Sequence, residues 1–137
     1  MHALTPTEVD FDDVQVMCMP AREDEPAAIR EAWAEFEAAV GLKGRKFYGA
    51  FYPETREYHV CAQLEADDDP AALGYQVATL AGGSYLRARL KGEPPAVYEL
   101  IGPTFEELTK HAEPDESRPS IEFYRSRDVI DLLLPIT

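Results

Sequence analysis

Apolar and polar positions alternate with a period of two over several short stretches, and two longer stretches repeat every third or fourth residue. The clearest alternation lies near the C-terminal end. From Ser120 to Arg125, Ile121 and Phe123 fall on one face and Glu122 and Tyr124 on the other, which predicts a strand. Ser126-Arg127-Asp128 reads as a tight turn. Val129 to Ile136 is almost continuously apolar, as expected of a strand covered on both faces. Val14 to Pro20 predicts another strand, with Val14, Val16 and Cys18 opposite Gln15, Met17 and Met19. Lys46 to Tyr52 and Tyr58 to Glu65 are two strands separated by a short turn, which makes a hairpin. Gln76 to Leu80 is a short strand, and Ser84 to Leu90 is a longer one that sets Tyr85, Arg87 and Arg89 against Leu86, Ala88 and Leu90.

The helical spacing comes twice. Ile29, Trp33, Phe36 and Val40 form one stripe, opened by Pro26 and stopped by Gly41. Val97, Ile101, Phe105 and Leu108 form a second stripe within residues 94–111. Gly102-Pro103 interrupts it, and Thr104 with Glu107 matches a capping box, so this helix is expected to kink or restart at Thr104. The element order is β-α-β-β, taken twice, over residues of about 12–66 and about 75–136. This predicts an α+β fold. Residues 1–10 are expected to be a frayed end or a short edge, and Asp67-Asp68-Asp69-Pro70 a solvated linker.

Composition narrows the function. A chain of 137 residues, 45% hydrophobic and 28% charged, is expected to fold as one domain. Its net charge of −13 argues against direct nucleic-acid binding and against docking on anionic membranes. The same charge favours cationic ligands, although simple solubility accounts for it too. No run is long enough to span a bilayer and no leader pattern opens the chain, so a cytoplasmic location is expected. Cys18 and Cys61 each sit in a strand and read as reduced core residues. His2, His59 and His111 lack ligand spacing, so no metal site is expected, and no motif implies a cofactor. Gly82-Gly83 opens onto a strand rather than a helix, which excludes a phosphate cradle.

Glu122 is the candidate functional group, a carboxylate set between Ile121 and Phe123 that shares its face with Tyr124. An acid among rings loses hydration, and a flat delocalised cation restores the balance through charge, stacking and buried area. Trp33, Tyr48 and Tyr85 are candidate ring partners, Phe105 lies on the second helical stripe, and Met17 and Met19 could form a deformable wall. Plainer roles stand beside these. Trp33 and the methionines also suit a core, and Glu122 could pair with Arg87, Arg89 or Arg125.

Several segments in order resemble the gyrase-inhibitor-like (GyrI-like) effector-binding family: Phe47-Tyr48-Gly49, Gly82-Gly83-Ser84-Tyr85-Leu86, Lys91-Gly92, Ile121-Glu122-Phe123-Tyr124 and Leu134-Pro135-Ile136. The resemblance runs from about Val14 to Ile136. It implies a pseudo-symmetric pair of β-α-β-β repeats, with an antiparallel sheet and two helices framing a central ligand groove. It also implies that Glu122 faces a flat, hydrophobic, cationic aromatic molecule, with Tyr124 beside it. There is no room here for the helix-turn-helix of the family's transcription regulators, so a stand-alone small-molecule binding protein is expected. Two alternatives follow from other members. One is a hydrolase of strained cyclopropane-bearing compounds, with Glu122 and Tyr124 catalytic. The other is a gyrase-inhibitor-like protein-interaction module with a protein partner.

Overall fold

The computed structural model describes residues 6–23, 25–41, 44–126 and 128–137. The expectations for His2 and for Arg127 in the last turn lie outside the described residues. The elements are β1 (Thr7–Phe11), β2 (Val14–Pro20), α1 (Pro26–Val40), β3 (Phe47–Tyr52), β4 (Glu57–Gln63), the single turn α2 (Pro70–Leu73), β5 (Gln76–Leu80), β6 (Gly83–Lys91), α3 (Ile101–Leu108), β7 (Ser120–Ser126) and β8 (Val129–Pro135). A 3-10 turn over Ala96–Leu100 leads into α3.

All eight strands join one antiparallel sheet, in the order β1-β6-β8-β7-β3-β4-β2-β5. The fold is α+β. Its pseudo-symmetry is visible in this order, because β6-β8-β7 and β3-β4-β2 are mirrored about the seam between β7 and β3. Two flanking strands cross over: β1, just ahead of the first repeat, pairs with β6, and β5, at the start of the second, pairs with β2. The chain passes from β1 to β2 through Asp12-Asp13 alone, although those strands lie near opposite margins of the sheet. From Phe11 to Val14 the chain spans at most about 11 Å, so the margins must come together and the sheet must curl into a half-barrel. The corners touch where this happens. Gly82 N–H donates to Asp13 Oδ1 (2.6 Å), and a Cβ on Gly82 would stand 2.4 Å from the Phe11 carbonyl oxygen.

The curl gives the sheet an inner and an outer face. Val16, Cys18, Ala50, Cys61, Leu80, Tyr85, Ile121 and Leu133 pack together on the inner face. On the outer face, α1 lies over β2 and β4, and α3 lies over β6 and β8. Met17, Ala32, Phe36, Tyr58, Val60 and Ala62 form the core beneath α1. Leu86, Ala88, Val97, Leu108, Ile130, Leu132 and Leu134 form the core beneath α3. The two central strands, β7 and β3, therefore run between the helices as the floor of a trough.

Three local expectations change. α3 does not restart at Thr104: it begins at Ile101, so Pro103 falls in the first turn, where its missing N–H costs no helical bond. Asp68 is not a solvated linker residue, because Arg45 grips its carboxylate at 2.5 and 2.6 Å. The apolar strand β8 carries a buried charge, Asp131, which is 1% exposed and paired with Arg89 (2.7 Å) and Arg125 (2.5 Å). No helix among the described residues is long and apolar enough to cross a membrane.

Candidate ligand-binding site

Glu122 lies on the trough floor. The β-strand alternation puts Ile121 and Phe123 with the inner core and turns Glu122 and Tyr124 outward. Glu122 stands opposite Gly49 of β3 in the register. The residue is 9% exposed. Two phenols converge on Oε1: the Tyr58 hydroxyl donates from 2.7 Å and the Tyr124 hydroxyl from 2.5 Å. The Trp33 indole N–H donates in turn to the Tyr58 hydroxyl oxygen (3.1 Å). The chain Trp33–Tyr58–Glu122–Tyr124 thus joins α1, β4 and β7.

Gly49 makes room for this contact. A Cβ there would lie 2.1 Å from the Tyr58 hydroxyl and 2.7 Å from Glu122 Oε1. Burial, and then the charge of Glu122, push the Tyr58 and Tyr124 phenols well above their ordinary values. Both therefore stay protonated at neutral pH and remain donors. Two donors on one oxygen fix the plane of the carboxylate and keep its charge in place.

Rings cover the acid. Trp33 meets Tyr124 edge-on (centroids 5.2 Å apart, planes at 73°) and Phe47 likewise (6.0 Å, 77°). Tyr98, from the 3-10 turn, meets the other side of Tyr124 at 6.5 Å and is 42% exposed. The trough thus offers aromatic edges and faces from both repeats around one oriented carboxylate.

Of the residues singled out in the sequence, Glu122, Tyr124 and Trp33 come together here. Met17 and Met19 pack beneath α1, Met17 being fully buried, and Phe105, on α3, packs against the core under that helix. Tyr48 and Tyr85 are on the inner face, away from Glu122. Tyr48 stacks on Phe123 (4.9 Å, 20°), and the Tyr85 hydroxyl donates to the Ala81 carbonyl (2.5 Å). Both line a shallow apolar hollow with Phe11, Leu80 and Phe123. Arg89 and Arg125 belong to Asp131 on that face. Sequence reasoning missed Tyr58, Gly49, Phe47 and Tyr98. Tyr58 carried a signal, since it shares a strand face with Val60 and Ala62, and a buried hydroxyl on an apolar face needs a partner.

No protein-family model matches the sequence, and no curated protein does either. Solved structures share the fold. An integron cassette protein from the mobile metagenome of Vibrio cholerae superposes with a TM-score of 0.76, at 14% identity, over 96% of this chain and 95% of that one. SAV2435, solved bound to tetraphenylphosphonium, gives 0.66 at 13% identity over 97% and 94%. The C-terminal domain of EcmrR gives 0.67 at 8% identity over 99% of both chains. At these identities the likeness establishes the architecture: this chain has the curled sheet and paired helices of those proteins.

Proposed function

We propose that the trough between α1 and α3 binds a flat, hydrophobic, cationic molecule, and that the protein is a GyrI-like small-molecule binding domain. The observation that carries this reading is the buried Glu122 carboxylate, held by two phenols, one of which accepts from the Trp33 indole, at the seam of the two repeats. A delocalised cation above that acid gains charge contact in a site with little water, and its rings gain area and cation–π contact against Trp33 and Tyr124. A small inorganic cation would gain none of the ring contacts, and a neutral ring none of the charge. A protein of the same fold was solved with tetraphenylphosphonium, which supports a hydrophobic aromatic cation, although that ion is tetrahedral rather than flat.

The test is titration with tetraphenylphosphonium or a planar cationic dye. Glu122→Gln keeps the shape of the side chain and one acceptor oxygen for the two phenols while removing its charge. Its Kd should rise at least about tenfold, a loss of about 1.4 kcal/mol. Trp33→Ala should weaken binding further, through lost ring area. Equal Kd values for wild type and Glu122→Gln would reject the proposal.

A further inference from the structure

Cys18 and Cys61 form a second chemical grouping, on the inner face and away from the trough. They stand opposite each other in the register of β2 and β4. Two backbone bonds settle the kind of pairing: Ala21 N–H donates to Tyr58 O (2.8 Å), and Leu64 N–H donates to Gln15 O (2.9 Å). Ala21/Tyr58 and Gln15/Leu64 are thus hydrogen-bonded pairs. In an antiparallel ladder such pairs alternate with non-hydrogen-bonded ones. Cys18/Cys61 lies three steps from each, so it is a non-hydrogen-bonded pair, whose Cα atoms approach to about 4.5 Å. A disulfide spans Cα separations of about 4.4–6.8 Å, a range that includes that of such a pair. Both thiols are free and buried.

A histidine completes the grouping. His59 shares the inner face of β4 with Cys61, and its Nε2 lies 3.2 Å from Glu57 Oε1. Its Nδ1 is buried and, among the described residues, is the one such side-chain atom with no hydrogen-bond partner. Cys61, and then His59, hold the Cys18 thiol below its ordinary range against the effect of burial. Cys18 and burial together push Cys61 well up. The two sulfurs also differ in access, Cys18 being 2% exposed and Cys61 fully buried, so an entering oxidant meets Cys18 first.

We propose that Cys18 and Cys61 are a reversible dithiol–disulfide couple oxidised by a small hydroperoxide, with Cys18 attacking, Cys61 resolving and His59 exchanging the proton. The Cys18 thiolate attacks the terminal peroxide oxygen. The O–O bond breaks, Cys18 becomes a sulfenic acid, and the departing oxygen leaves as alcohol or water with the proton that His59 held. The Cys61 sulfur then attacks the Cys18 sulfur. The S–O bond breaks, and the hydroxide leaves as water with the Cys61 proton. Two thiols are oxidised to one disulfide, and one hydroperoxide is reduced. Cys18 is only 2% exposed, which restricts the oxidant to a small molecule.

The experiment treats the intact protein with hydrogen peroxide, then alkylates it under denaturing conditions and weighs it. Both thiols should disappear, the mass should fall by two hydrogens, the chain should stay monomeric without reductant, and dithiothreitol should restore both thiols. Cys61→Ser should leave a sulfenic acid on Cys18 that dimedone traps, and Cys18→Ser should leave Cys61 unoxidised. His59→Gln should slow thiol loss at least about tenfold. Survival of both thiols in excess peroxide, sulfenic acid on Cys61 in the Cys18→Ser variant, or a bridge between chains would each overturn the couple. An unchanged rate in His59→Gln would remove His59 from it.

Discussion

A buried carboxylate loses much of its hydration, and Glu122 recovers hydrogen bonds from Tyr58 and Tyr124. The smallest residue in the chain makes this possible. Any side chain at Gly49 would occupy the place of the Tyr58 hydroxyl. Gly49→Ala should therefore break the Tyr58–Glu122 bond and lower stability by about 1–3 kcal/mol, read from the urea midpoint. It should also weaken dye binding, because the carboxylate loses one of the donors that aim it. A midpoint equal to wild type would show that Tyr58 moves aside at no cost. Glu122 and Tyr124 were legible in the sequence as face-sharing neighbours, two positions apart on one strand. Tyr58 and Gly49 were not, since they reach Glu122 only across strand pairings 64 and 73 residues long (122 − 58 and 122 − 49).

Elements were the most legible level, because helix and strand periods are local. α1 runs from Pro26 to Val40, as its proline, its apolar stripe and Gly41 indicate. α3 was misread at its start, because Pro103 looks like an interruption until the helix is known to begin two residues earlier. Pro103→Ala should leave stability within about 0.5 kcal/mol, as for an exposed first-turn position. A gain near 3 kcal/mol would mean that the proline does break the helix. In β8, Asp131 ties three neighbouring strands through Arg89 of β6 and Arg125 of β7. Burial raises its pKa, but the two guanidiniums outweigh burial and hold it below 3.8. A depressed acid contributes stability above its unfolded value and loses that contribution as pH falls through the folded one. Asp131→Asn should lower the urea midpoint at pH 7 and flatten the loss of stability below about pH 4. Parallel acid profiles for variant and wild type would remove Asp131 from that account.

At the scale of the whole molecule, tyrosines stand in all three core clusters. Burial above all raises Tyr48, Tyr52, Tyr58, Tyr75, Tyr85 and Tyr124 above the ordinary value of 10.0, Tyr52 to about 12. A raised phenol favours the folded state while protonated, so its contribution is whole below pH 10 and is lost as pH climbs through the folded value. Each tyrosine protonated in the fold and ionised in the unfolded chain removes about 1.4 kcal/mol per pH unit. The urea midpoint should therefore fall steadily between about pH 10 and 12, and less steeply in Tyr58→Phe. A flat profile across that window would contradict the burial of these rings. The sequence by itself determined where α1 and most of the strands lie, which residues share a strand face, and that the order β-α-β-β occurs twice, because each of these follows from spacing along a few neighbouring residues. Tertiary structure alone decided that β1 and β5 cross over, that Tyr58 meets Glu122, and that Tyr48 and Tyr85 turn to the inner face. Those outcomes depend on register between distant strands, where a slip of one residue would send every side chain to the opposite side of the sheet.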